Sequence, residues 1–243
     1  MSHLRSIPFD PSHPMVTVPF SGETIEDIGI SIKDVMKHPF DMLEFQAGTF
    51  NGVINFTQLW DVLTRISMET DEAPILFSCD IHALPEYYQT ARDYADILSF
   101  AVRTTQIDTL SIESFLPPDT IADIADKCLE SDVIPMITIR MPAHTSPDMM
   151  RAHMEDMLDL DVAVFHIVMP VVSAEEIQHM EQTAAEFMKK HDGTHVIIQP
   201  TGTIAKEQAL QGNTFHSPLL FATTDAESDT LPDSAALKAV LTK

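Results

Sequence analysis

The chain has 243 residues, with 14 lysines and arginines against 37 aspartates and glutamates, a formal net charge of −23. So acidic an envelope repels phosphate, which excludes nucleic-acid binding and attachment to anionic membranes, because both depend on clustered cations that displace counterions. Hydrophobic residues make up 44% of the chain, enough for a large core, and no run of about 18 apolar residues is available to span a bilayer.

The segment Met1 to Pro14 carries neither an apolar signal core nor a transit pattern, which predicts a cytoplasmic protein. Its prolines suit a cap on the bottom of whatever fold follows. From residue 15 onward, short β-branched or apolar runs alternate with longer amphipathic stretches, the pattern of repeated βα units. Strands are predicted at Met15–Pro19, Phe40–Gln46, Ala73–Cys79, Ile107–Glu113, Val133–Arg140, Val162–Val168, His195–Gln199 and Leu219–Thr223.

Helical marks fill the gaps. Ser21 to Thr24 leads into an Ile25, Ile28, Ile32, Val35 stripe, and Phe56, Leu59, Val62, Leu63 and Ile66 recur at helical spacing. Helix starts are predicted at Pro85, at Pro117-Pro118-Asp119 ahead of Ile121, Ile124 and Cys128, at Ser146-Pro147 and at Ser173-Ala174-Glu175-Glu176. Eight strands each followed by a helix predict a closed (β/α)8 TIM barrel, one domain over residues 1–243. A doubly wound sheet would carry G-x-G-x-x-G after its first strand, and none of the seven glycines forms it. Cys79 and Cys128 fall on a strand and a helix, without short spacing, and are expected to be reduced core residues.

In such a barrel the site is built from the C-terminal ends of the strands. Those ends offer Glu44 and Gln46, Ser78 and Asp80 followed by His82, Ser111 and Glu113, Thr138 and Arg140, His166, then Gln199 and Thr201. Period-two alternation puts Glu44 with Gln46, Ser78 with Asp80, Ser111 with Glu113 and Thr138 with Arg140 on common faces. The ligand-binding candidates are Glu44, Gln46, Asp80, Glu113, Arg140 and Gln199. Asp80, His82, Glu44, Glu113, His144 and His216 together hold oxygen and nitrogen donors, but no local spacing fixes three of them, so neither metal nor cofactor is predicted.

The order and spacing of several segments resemble type I 3-dehydroquinate dehydratase over nearly the whole chain. Val16-Thr17-Val18-Pro19 is similar to the family's first strand, Asp41-Met42-Leu43-Glu44-Phe45-Gln46 to its D-x-x-E-x-R strand and Pro74 to Asp80 to its T-x-R strand. Ile139-Arg140 with Thr145-Ser146-Pro147 resembles S-x-H-D-F-x-x-T-P, and Val168-Met169-Pro170 the end of K-I-A-x-M-P. Gly202, Gly212, Phe215 and Ser217 recur at the spacing of the family's last glycine-rich run. The resemblance implies a Schiff-base lyase and a homodimer.

The same comparison implies that the reactive set is missing. Counting back from Met169-Pro170 puts Phe165 where the family has its imine-forming lysine, and counting forward from Asp161 puts Val164 there. If Phe165 points into the barrel, His166 points outward to the helices as a buried, hydrogen-bonded residue. The proton-transferring histidine corresponds to Arg140, which cannot release a proton near neutral pH. The arginines that hold the anionic substrate correspond to Gln46, Asp80 and Ala209, while Glu44 and Glu113 match family acids. The lysines are Lys33, Lys37, Lys127, Lys189, Lys190, Lys206, Lys238 and Lys243, and of these Lys206, after strand seven, could reach the barrel mouth. The expected protein therefore lacks dehydratase activity and binds a small molecule or a protein partner at the mouth. The alternative is an enzyme with other chemistry there, metal-assisted or using Glu44 and Glu113 as acid and base.

Overall fold

The computed structural model describes residues 7, 9–70, 73–84, 89–160 and 162–242. Strands and helices alternate from end to end: β1 (Met15–Phe20), α1 (Ile25–Val35), β2 (Met42–Gln46), α2 (Phe56–Glu69), β3 (Ile75–Ser78), α3 (Ala91–Arg103), β4 (Thr109–Glu113) and α4 (Pro118–Glu130). They continue as β5 (Ile134–Arg140), α5 (Pro147–Asp156), β6 (Val164–Pro170), α6 (Ala174–Lys190), β7 (His195–Thr201), α7 (Thr203–Leu210), β8 (Leu219–Phe221) and α8 (Ser234–Leu241). The eight strands belong to one sheet in the order β7-β6-β5-β4-β3-β2-β1-β8, the (β/α)8 class expected. The predicted start at Pro85 lies outside the described residues, and α3 is capped instead by Thr90, whose hydroxyl accepts from the Asp93 N–H.

Local chemistry sets the helix starts. Thr24 and Asp27 form a reciprocal capping box on α1, Asn55 caps α2, and Ser146 and Ser173 cap α5 and α6, each satisfying N–H groups that the first turn leaves open. Strand ends stay within two residues of the predicted ones. At the start of β3 the Asp108 carboxylate accepts from the Ile75 N–H, and β6 and β7 run on through Met169↔Pro200 and Pro170↔Thr201 because their ladder continues.

The chain divides into two compact units, one holding Pro19–Pro135 and the other Pro8–Val18 with Met136–Lys243. In the first, β2, β3 and β4 are parallel neighbours, with Leu43 opposite Ile75 and Leu76 opposite Thr109. Its core joins the Phe20, Phe45 and Phe77 rings to the buried stripes of α1, α2 and α4. Both cysteines are buried and reduced, and burial pushes each thiol up to about 12, so neither is a nucleophile.

In the second unit β5, β6 and β7 are parallel neighbours and β1 pairs with β8. Phe9 lies against His195, the first residue of β7, with the two rings 5.4 Å apart. The fully buried Ser217 hydroxyl accepts from the Ile198 N–H of β7 at 3.3 Å and donates to the Leu219 carbonyl of β8 at 2.8 Å. Ser217→Ala leaves both backbone groups without this partner in a dry environment, and the expected cost is about 2–4 kcal/mol. Urea denaturation beside the exposed control Ser67→Ala checks it. Equal midpoints for the two variants would show that the hydroxyl is not needed there.

Candidate functional site

In the first unit the strand ends are acidic. Glu44 on β2 and Ser78 on β3 share a face, and the Ser78 hydroxyl donates to Glu44 Oε1 at 2.7 Å. Gln46, opposite Ser78 in the register, is exposed. Asp80 is exposed as well, and its Oδ1 accepts from the His82 N–H, capping the turn Ile81–Ala83. Gly48 comes so close to this turn that a Cβ would sit 2.8 Å from the Asp80 carbonyl, which is why the position takes glycine. Glu113 closes β4 and is buried, and with Asp80 it adds to the burial that raises the Cys79 thiol.

In the second unit Thr138 is buried on β5, and Arg140, two residues on, is exposed. Thr138 stands opposite His166 of β6 in the register. The His166 ring is held on three sides: Nδ1 lies 3.3 Å from Thr138 Oγ1, Nε2 lies 2.9 Å from Gln199 Oε1 on β7, and the ring stacks on Phe221 of β8 at 4.8 Å. Burial, with the Arg140 charge nearby, pushes its pKa down to about 3, so the ring is neutral. A carbonyl oxygen only accepts, so Nε2 carries the proton and Nδ1 accepts from the Thr138 hydroxyl.

This corrects the orientation expected from sequence. His166 is buried and hydrogen-bonded as anticipated, but it projects from the sheet face opposite the helices. Phe165 projects toward α6, its ring edge-to-face with Phe187 at 5.6 Å. The reason is the polarity of the two faces. A histidine against Phe187 would bury two ring nitrogens in an apolar layer, whereas Thr138 and Gln199 satisfy both on the other face.

Six of the seven described lysines lie on helices and Lys37 lies in the turn after α1. Lys206 on α7 lies beside a recess next to β7 and β8. It lines this narrow recess with Ile198, Gln199, Phe221, Leu231 and Pro232, and its Nζ donates to the Ser228 carbonyl at 2.6 Å. Ala209 is buried on the same helix. His144 lies 2.7 Å from Glu176, whose second oxygen accepts from the Val172 N–H, so this pair ties loop to loop. Among the described residues no three His, Cys, Asp or Glu side chains meet around a common point suited to an ion, and no helix is long and apolar enough to cross a membrane.

The family model for type I 3-dehydroquinase matches residues 16–243. The chain belongs to that family. It is 23% identical over 228 residues to the 3-dehydroquinate dehydratase of Clostridium kluyveri, covering 93% of this chain and 89% of the relative. The enzyme of Clostridium novyi is 23% identical over 230 residues, covering 93% and 90%. Among solved structures, the type I 3-dehydroquinate dehydratase of Clostridium difficile with covalent modified comenic acid superposes with a TM-score of 0.83 at 18% identity, covering 95% of this chain and 92% of that one. The Geobacillus kaustophilus enzyme gives 0.84 at 18% identity, covering 94% and 90%.

Within this family member, sequence reasoning located the strand-end residues of each unit but missed three things. These are the side of β6 that His166 takes, the stacking partner Phe221 and the recess around Lys206. The alternation in β6 signals that Phe165 and His166 oppose one another, and the 3.6-residue stripe Ile177, Met180, Ala184, Phe187 on α6 marks where an apolar partner was needed.

Proposed function

We propose that this chain is a type I 3-dehydroquinase relative without Schiff-base dehydratase activity, holding a small molecule non-covalently through strand-end side chains. The candidates are Glu44, Gln46, Asp80 and Glu113 in the first unit and Arg140 and Gln199 in the second. The observation that carries the reading is the content of β6. An imine needs a primary amine that can attack a ketone and lose water. The residue on the β6 face that Thr138 and Gln199 line is a neutral imidazole, and the neighbouring Phe165 is packed on Phe187. Lys206, the remaining amine of interest, is engaged with the Ser228 carbonyl. We further propose a cytoplasmic homodimer. Two buried thiols suit a reducing compartment, and the half-exposed Trp60 and Phe56, the latter stacked on Phe100, provide an apolar face for a second copy.

Incubation with 3-dehydroquinate and sodium borohydride, followed by intact mass, tests the central point. The expected spectrum contains unmodified protein alone, with no dehydration measured by absorbance. A stoichiometric adduct overturns the reading, and a peptide map that places it on Lys206 would identify the displaced nucleophile.

A further inference from the structure

We propose that Asn51 is a site of slow covalent self-modification, in which its carboxamide is converted to aspartate or isoaspartate by the backbone nitrogen of Gly52. A bond forms from Gly52 N to Asn51 Cγ, the Cγ–Nδ2 bond breaks, and the Gly52 amide proton leaves with Nδ2 as ammonia. Water then opens the cyclic imide at either carbonyl. The chain's asparagines are Asn51, Asn55 and Asn213, and only Asn51 precedes a glycine, whose missing Cβ leaves the attacking nitrogen unshielded. Asn51 is exposed, and its side chain makes no hydrogen bond among the described residues. The other two are held. Asn55 Oδ1 accepts from the Thr57 and Gln58 N–H groups as the cap of α2, while Asn213 Nδ2 donates to Gln208 Oε1 at 3.0 Å and its Oδ1 accepts from the Phe215 N–H at 2.8 Å.

The local fold supplies the nucleophile and keeps it. The Val53 N–H donates to the Phe50 carbonyl at 3.0 Å, so Asn51 and Gly52 are the central residues of a β-turn, and the Gly52 N–H donates to no acceptor among the described residues. Replacing Gly52 does not relieve the position, because a Cβ there would sit 2.2 Å from Gln58 Oε1 and 2.6 Å from the Phe50 ring. The turn is also tied on both sides. The Asn51 N–H donates to the Glu23 carbonyl at 3.0 Å, and the Gly52 carbonyl accepts from the N–H of Asn55 at 2.9 Å. Isoaspartate inserts a methylene into the backbone between those two bonds, and either product adds a negative charge to a chain already at −23. The change loosens the start of α2, in the loop that joins it to Gln46.

The test holds the full chain in mildly alkaline buffer and follows it by intact mass, for the exchange of NH2 for OH, and by peptide mapping, for its position. Product at Asn51 is expected to exceed that at Asn55 or Asn213 at least about tenfold. It should rise with pH, because the attacking nitrogen must lose its proton. Asn51→Gln, which would have to close a larger ring, is expected to stay unmodified over the same period. Gly52 is buried, so the native chain is expected to react more slowly than the same chain in urea, with Asn51 still leading. Protein rich in the product should unfold at a lower urea concentration than fresh protein. A native chain that gains no mass, product spread evenly over the asparagines, or a mass gain that persists in Asn51→Gln overturns the proposal.

Discussion

Phe165→Lys is expected to abolish folding rather than restore an imine-forming site. Phe165 is fully buried with its ring edge-to-face on Phe187 of α6. Truncating such a ring costs about 3–5 kcal/mol. Bringing an unpaired ammonium into the same apolar layer adds several kcal/mol more. The sum is comparable to the whole stability of a typical protein, about 5–15 kcal/mol. Soluble yield and circular dichroism read the outcome, with Phe165→Leu as a milder companion that should fold and lose about 1–3 kcal/mol. A Phe165→Lys protein that is folded, stable and trapped by borohydride with dehydroquinate would show that residue 165 projects from the other face. The functional reading would then have to start from that position.

The second large effect is a pH dependence of stability carried by His166. Its pKa falls from 6.5 to about 3 on folding, chiefly through burial and secondarily through Arg140, against a weaker opposing effect of the Gln199 hydrogen bond. Between those values the unfolded chain binds a proton that the native chain refuses. Stability is therefore fully present above pH 6.5 and drains away as the pH drops toward 3. Over the whole window the loss is about 5 kcal/mol at roughly 1.4 kcal/mol per pH unit. The carboxylates held low, Glu176 by the Val172 N–H and Glu155 by Lys190, release their own contributions only below the ordinary carboxylate range. Urea midpoints between about pH 6.5 and 4.5 consequently isolate the histidine, with an expected loss of about 2 kcal/mol. His166→Phe should flatten the profile in that interval. Parallel profiles for both proteins would mean that the ring is solvated, contrary to its bonds with Thr138 and Gln199.

The apolar runs and helix caps were sufficient to read eight βα units from the chain itself, because both are local: a period of two or 3.6 and a Ser, Thr or Asn at a helix start do not depend on distant residues. Thr24, Ser146 and Ser173 act as their positions suggested, while Asn55 caps α2 without having been singled out. Alternation placed Glu44 with Gln46 and Ser78 with Asp80 on common faces of their strands, while the contact of Ser78 with Glu44 across the two strands came from the sheet register.

Alternation alone could not say which side of β6 is which. It opposes Phe165 to His166 but leaves the sign open, and counting from Met169-Pro170 assigned it the wrong way round. The sign depends on partners 22 to 55 positions away in the chain: Phe187 offers an apolar slot, while Thr138, Gln199 and Phe221 offer two hydrogen bonds and a stacking ring. The Lys206 contact with Ser228 is of the same kind, 22 residues apart and invisible to any local pattern. What the chain determined unaided is the repeat and its helix starts, which follow from short-range periodicity. Only the tertiary structure decided which polar groups are satisfied, because a buried nitrogen or carbonyl is stable only where long-range packing brings it a partner.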